Sequence, residues 1–299
     1  LTPVRATIIC PAPFAALRQR FCHGGDAAFA NSLWESQPWD SGRGGKSGSN
    51  FYRSRDGRYL IKQVPRSEFQ AFAEHAHHYF AFMRVAPEKL PSVLVKVLGA
   101  FHVEFRSADK KQVHSQFLLV QENLFYGHNV YRMCDLKGAH RNRGGEDEND
   151  TVVDENLFLT NDGHPLLLSE MAKQQLVRAL WNDTLFLSSI NVMDYSLLVG
   201  MVKSSDANRS RWTLVVGVID YCRQYTWKEE AESRVKRATV IPPRQYKRRF
   251  REALNRYFMP SIEKYEPEAA SMAYEAATAE ASTSAESERA AGRERARVR

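Results

Sequence analysis

The sequence lacks paired cysteines, long apolar runs and several familiar nucleotide motifs, and each absence narrows what it can be. Its four cysteines (Cys10, Cys22, Cys134, Cys222) are dispersed. That argues against a disulfide framework or a zinc site and for reduced, intracellular thiols. No apolar stretch approaches the roughly 20 residues of a membrane-spanning helix, and the weakly apolar segment from Ala6 to Leu17 is interrupted by Pro11 and Pro13. Any membrane contact is expected to be peripheral. A Walker A loop fails because Gly45-Lys46-Ser47 has Asp40 where the first glycine belongs, and the protein-kinase glycine loop fails at Ser47. His140-Arg141-Asn142 carries Asn where a catalytic base would stand, and neither DFG nor APE follows. No internal repeat is present.

What is there suffices for a full core: 299 residues, 43% of them apolar, consistent with one large domain or two lobes. Beginning at Leu1, the chain reads as a piece of something longer. Its net charge of +7 is local. From Arg223 to Arg256 there are eleven Lys/Arg against four Glu, and the remainder is neutral. Such a cluster can attract an anionic surface. The plainer reading is a solvated basic helix, because Pro243 opens an amphipathic pattern with Tyr246, Phe250, Leu254 and Phe258 on one face. Both readings stay open for the helix.

The most informative segment runs from Asn191 to Trp227. Two apolar runs rich in β-branched residues, one of Val192, Met193, Leu197, Leu198 and Val199 and one from Leu214 to Ile219, flank a polar turn at residues 203–208 and read as a hairpin. Asp194 stands before it and Asp220 after it, and both look buried. Two carboxylates bracketing one hairpin can converge on a ligand or metal, since neither is cheaply buried alone. That is the layout of a kinase-like catalytic centre.

Elsewhere the pattern predicts a strand at Ala6–Cys10, a helix from Phe14, a hairpin of Phe51–Arg53 and Tyr59–Val64, and a helix capped by Ser67 running to about Met83. Strands follow at Leu94–Phe101 and Phe117–Gln121, then the segment Tyr131–Leu136, an acidic loop at 144–151 and a helix from about Ser169 to Ser189. Small residues from Gly44 to Ser49 would let backbone N–H groups approach phosphates, or simply form a loop. His75, His77 and His78 read as a partly buried helix face more readily than a metal site.

Taken together, GGKSGSNFY, YLIKQV, LLVQENLFYG, DLKG, WNDTLFLSSINVMDYSLLVG and VVGVIDYCRQYTW resemble the phosphatidylinositol phosphate kinases, and among them the phosphatidylinositol-3-phosphate 5-kinases. The similarity covers about residues 4 to 260. It implies an α/β two-lobed lipid kinase fold: an antiparallel-sheet nucleotide lobe at 1–123, a mixed α/β catalytic lobe with activation loop and basic helix at 124–262, and a low-complexity tail at 263–299. ATP and Mg²⁺ are the implied cofactors. Gly45, Ser47, Gly48, Ser49, Glu122, Asn123 and Leu124 match the nucleotide site. Lys62 matches the lysine that holds ATP phosphates, with Glu68 as its partner, and Asp220 the metal-binding aspartate. Asp194 matches the catalytic aspartate near the accepting hydroxyl, and Lys137 a lysine near the transferred or lipid phosphate. Lys236, Arg237 and Arg244 would meet the membrane.

Two departures stand out. Ala139 replaces the serine usual after DLKG, and the stretch between QYTW and Thr239-Val240-Ile241-Pro242 is short. The expectation is a kinase acting on the 5-hydroxyl of phosphatidylinositol 3-phosphate, peripherally bound to endosomal or vacuolar membrane, with no nucleic-acid partner. The alternatives are a kinase acting on phosphatidylinositol 4-phosphate and a phosphoinositide-binding pseudokinase.

Overall fold

The computed structural model describes residues 4–39, 50–86, 88–106, 113–138, 151–153, 164–203, 212–225 and 241–261. Residues 1–259 form one unit and residues 260–299 a second. The acidic loop at 144–150, the hairpin turn at 204–208, Ala139 to Asn142 and the tail at 263–299 lie outside the described residues.

A six-stranded antiparallel sheet is built from β1 (Val4–Ile8), β2 (Gln37–Pro38), β3 (Phe51–Arg53), β4 (Tyr59–Val64), β5 (Val97–Arg106) and β6 (Val113–Glu122), in the order β1-β5-β6-β4-β3-β2. Strand β4 is central and nearly all buried. Alternation sends Tyr59 and Ile61 towards Phe29 of helix α2 (Gly25–Leu33), whereas Val64 faces the main core with Leu119 and Phe69. Lys62 shares a face with Leu60 and Val64, so a charged residue is carried into the interior of the fold.

Several boundaries differ from the sequence expectation: β5 starts at Val97 instead of Leu94 and runs on to Arg106, β6 starts at Val113 instead of Phe117, and two helix starts differ as well. The first strand ends at Ile8, Cys10 adopts a left-handed conformation (φ 46°), and helix α1 (Pro11–Phe21) starts on its prolines. The prolines begin the helix because the first-turn N–H they lack would be unpaired anyway. Helix α3 (Arg66–Val85) has Pro65 at its N-cap and no side-chain cap, so Ser67 sits inside the first turn instead of capping it.

The second sheet contains β7 (Val130–Leu136), β8 (Thr151–Val153), β10 (Ser196–Lys203) and β11 (Trp212–Ile219), ordered β11-β10-β7-β8. The hairpin expected from the sequence is β10–β11, in register Leu197↔Val218 and Val199↔Val216. Helix α4 (Glu170–Ser189) begins as expected, with Ser169 Oγ accepting the Ala172 N–H at 3.2 Å. Short β9 (Leu166–Leu168) pairs with β12 (Phe258–Pro260) beyond helix α5 (Pro243–Tyr257). The apolar face of α5 is buried at Tyr246, Phe250, Leu254 and, just past its end, Phe258.

The two sheets meet through residues 93–95. Val95 N–H donates to Val218 O (3.0 Å) and Val218 N–H to Val93 O (2.7 Å), while Asp183 of α4 accepts the Val93 N–H at 2.8 Å. Glycine is required under this junction. A Cβ on Gly217 would come within 3.0 Å of Val95 and Leu124 side chains, so the hinge segment can lie directly on β11.

Candidate active site

Between the sheets lies a cavity of about 290 Å³, walled by Leu60, Val95, Leu124, Leu198 and Ile219, with Asp220 at its edge. Apolar walls on opposing sides suit a flat ring. The Leu124 N–H has no hydrogen-bond partner among the described residues, so it can donate to the edge of such a ring. Glu122 and Asn123 also line the cavity, but their side chains are engaged elsewhere. Glu122 accepts from Lys96 Nζ (2.8 and 3.0 Å) and Lys96 N–H (2.8 Å), while Asn123 donates to Gly57 O (2.7 Å) and accepts from Phe125 N–H (3.2 Å). Their backbone N–H groups are taken as well, that of Glu122 by Lys96 O (2.9 Å) and that of Asn123 by Arg58 O (2.8 Å).

Two lysine–aspartate pairs form the polar end of the site. Lys62 Nζ lies 2.7 Å from Asp220 Oδ1 and 3.8 Å from Glu68 Oε1. Its side chain is only 8% exposed. Burial alone would lower the Lys62 pKa, but the Asp220 and Glu68 carboxylates outweigh it and hold the ammonium above its ordinary value. Burial raises the Glu68 pKa, with Lys62 offsetting part of the effect. The second pair is Lys137 and Asp194: Lys137 Nζ donates to Asp194 Oδ1 (3.1 Å) and to its carbonyl (3.0 Å). Arg223 approaches the other carboxylate oxygen at 3.7 Å.

Neither aspartate is buried as the sequence suggested. The Asp194 side chain is 32% exposed and that of Asp220 41%. Their apolar neighbours Val192, Met193 and Tyr195 are the buried ones. The reason is backbone conformation: Asp194 (φ 63°) and Asp220 (φ 60°) both occupy the left-handed region, one just before β10 and one just after β11. This conformation interrupts the strand alternation that would otherwise have sent one neighbour outwards, and Asp tolerates it better than most residues.

Tyr195 is held from below by α5. Its ring meets Tyr246 and Phe250 edge-on at 4.8 and 5.0 Å, and the Tyr246 hydroxyl donates to the Tyr195 carbonyl. Thus the apolar stripe of the basic helix supports the Asp194 turn. Arg249 Nη2 reaches the Lys137 carbonyl at 3.5 Å, and Gly138 (φ 70°) lets the Phe250 backbone pass beneath.

Arg223, Arg249 and Asp183 were not picked out from the sequence. A cation three residues past Asp220 was a usable signal for Arg223, but no local pattern marks the other two. Gly45, Ser47, Gly48, Ser49, Lys236 and Arg237 lie outside the described residues. Arg244 is exposed on the first turn of α5, beside a groove it shares with Lys247, Asn191 and Tyr225. Among the triplet of histidines, His75 is taken up by Gln224, whose amide nitrogen lies 2.8 Å from both ring nitrogens.

An enclosed lysine, two accessible carboxylates and a largely apolar cavity lined by one of them can hold phosphates, bind a hard cation and orient a hydroxyl. The phosphatidylinositol-4-phosphate 5-kinase family profile matches residues 35–212, more than half of the chain. The chain is 38% identical to the human 1-phosphatidylinositol 3-phosphate 5-kinase over 263 residues, 82% of this chain and 12% of that protein. It is 39% identical to 1-phosphatidylinositol 3-phosphate 5-kinase FAB1 of Saccharomyces cerevisiae over 248 residues, 77% and 11% of the two. With 1-phosphatidylinositol-3-phosphate 5-kinase FAB1A of Arabidopsis thaliana it shares 38% identity over 271 residues, 86% and 15%. It thus spans well under a fifth of the length of these relatives. The chain belongs to the phosphatidylinositol-4-phosphate 5-kinase family.

Proposed function

We propose that the chain is an ATP-dependent lipid kinase domain that phosphorylates the inositol 5-hydroxyl of phosphatidylinositol 3-phosphate. The observation that carries this reading is the pairing of Lys62 with Asp220, which lines the cavity, together with that of Lys137 with Asp194, whose carboxylate Arg223 also approaches. Phosphoryl transfer asks the protein mainly for positioning and charge neutralisation. Lys62 would hold the nucleotide phosphates, and Asp194 would orient the accepting hydroxyl while Lys137 keeps its carboxylate in place. The names of the relatives support the 3-phosphate substrate.

Mg²⁺ fits the donor set. Among the described residues no cluster of three His, Cys, Asp or Glu could hold a metal, which argues against an all-protein cage. A cation held by Asp220 and by substrate phosphates is the arrangement magnesium prefers. When bound it would neutralise the phosphate charge, leaving Lys62 and Asp220 to exchange their mutual ion pair for contacts with the complex. The basic segment after Asp220 is read as facing an anionic bilayer, with the domain peripheral on endosomal or vacuolar membrane.

The test is a radiolabelled assay against a panel of phosphoinositides, run with wild type and Asp194→Asn. Expected is a bisphosphate product from phosphatidylinositol 3-phosphate with wild type and none with the variant, although the variant still binds nucleotide. Faster turnover of phosphatidylinositol 4-phosphate would transfer the assignment to the substrate in the family's name. Nucleotide and vesicle binding by wild type without any product would instead favour a phosphoinositide-binding pseudokinase.

A further inference from the structure

Helix α3 turns one stripe of side chains, Glu68, Phe72, His75 and Tyr79, towards the segment that follows β11. Glu68 reaches Lys62, the partner of Asp220. Tyr79 stacks on Tyr221 with ring centroids 6.3 Å apart, and His75 meets Gln224. The helix and residues 220–224 are therefore joined at three successive points.

Gln224 is the most connected of these. His75 Nδ1 lies 3.3 Å from the Ala71 carbonyl, and the Gln224 amide nitrogen lies 2.8 Å from both ring nitrogens. The same NH₂ group also donates to the Ile190 carbonyl at 3.3 Å. Its backbone bridges to Val192, two residues before Asp194, and the Tyr225 N–H donates to Asn191 O at 2.9 Å. One residue thus ties together the helix bearing Glu68, the segment bearing Asp220 and the segment bearing Asp194.

Packing joins Tyr79 to Tyr221 but is incomplete beside the Gln224 amide. An apolar cavity of about 20 Å³, walled by Ala71, Phe72, Phe186, Ile190 and Cys222, adjoins the amide, leaving its hydrogen bonds to hold this corner. Both aspartates lie outside regular strand, where no ladder hydrogen bonds hold them in register.

We infer that Gln224 is a positioning residue, whose side chain sets the spacing of Asp220, Asp194 and the Lys62–Glu68 pair required to receive a magnesium–nucleotide complex. The assignment rests on the phosphoryl-transfer reading of Lys62 and Asp220 given above. Gln224 touches neither phosphate nor hydroxyl; it acts through the groups that do.

The test is nucleotide binding by calorimetry, with ATP measured in Mg²⁺ and in EDTA, alongside thermal melting. Gln224→Ala should weaken ATP binding in Mg²⁺ about tenfold, what one lost buried hydrogen bond commonly costs. Binding in EDTA should change far less, and the melting temperature should stay within a few degrees of wild type. Combined with Glu68→Gln, Gln224→Ala should weaken binding no further than the worse single change, because both loosen the same contact. If Gln224→Ala does not fold, His75→Ala, which leaves the Ile190 bond intact, is read in its place with the same expectation. Equal weakening with and without Mg²⁺, or additive effects, would make Gln224 merely structural and overturn the inference. Wild type that binds ATP no better with Mg²⁺ would overturn it as well. Because lipid is absent from these measurements, a wild type that makes no lipid product would sink the lipid-kinase reading while leaving this test intact.

Discussion

Lys62 is almost wholly enclosed and touches two carboxylates, so its ammonium has little water to fall back on if either is lost. Lys62→Met and Asp220→Asn are each expected to abolish turnover while leaving the fold largely intact. Removal of one strong electrostatic stabiliser commonly costs on the order of 10²-fold or more in rate. A rate within a few-fold of wild type in either variant would take that residue out of the mechanism. Asp183 makes a different prediction. It is fully buried, Oδ2 accepts the Val93 N–H, and burial pushes its pKa up to about 7. The unfolded carboxyl releases its proton near pH 4, so between about pH 4 and 7 the folded state binds more protons. Stability should therefore fall as pH rises through that window, by up to about 1.4 kcal/mol per pH unit, and level off above it. Asp183→Asn cannot ionise and should gain on wild type over the same window in urea titrations. Parallel stability curves for the two proteins would show that Asp183 ionises normally.

At the scale of elements, helix α5 faces two ways. Its apolar stripe supports the Asp194 turn through Tyr246 and Phe250, whereas Arg251 bonds Thr184 Oγ1 and the Trp181 carbonyl, both at 2.7 Å, and stacks on the Trp181 ring. Tyr246→Phe removes a single hydroxyl and should cost about 1 kcal/mol of stability. If that bond holds the Asp194 turn, kcat falls while nucleotide affinity is unchanged. A variant with wild-type kcat would make Tyr246 a packing residue only. Gly138 is a sharper case. It has φ 70°, and an added Cβ would lie 3.1 Å from the Phe250 Cα. Gly138→Ala should cost about 1–2 kcal/mol from the left-handed conformation alone and should displace the adjacent Lys137. Urea unfolding together with lipid turnover would measure both effects.

Over the whole molecule the positive charge is concentrated, but not all of it faces outwards. Arg249 and Arg251 are turned onto the protein, while Arg244 is exposed and Lys247 borders the same groove. Reversing Arg244 and Lys247 should weaken binding to anionic vesicles by roughly 1 kcal/mol per charge near the surface, and less at high salt. Arg251→Glu should instead lower stability with little effect on vesicle affinity. Salt-independent binding, or binding indifferent to Arg244 and Lys247, would count against a bilayer-facing surface. What the sequence determined by itself is local or carried by motif. The β10–β11 hairpin, the capped start of α4 and the apolar stripe of α5 depend on neighbours a few residues apart, and MDYSLLVG with DLKG marked the family. Only the tertiary structure decided that Lys62 meets Asp220 across 158 positions, that the Glu122 and Asn123 side chains turn to Lys96 and Gly57, and that Gln224 joins α3 to both aspartate segments. Those pairings follow from sheet order and from left-handed turns at Asp194 and Asp220. Sheet order joins residues far apart in the sequence, so no local pattern marks it, and an aspartate permits a left-handed turn without requiring one.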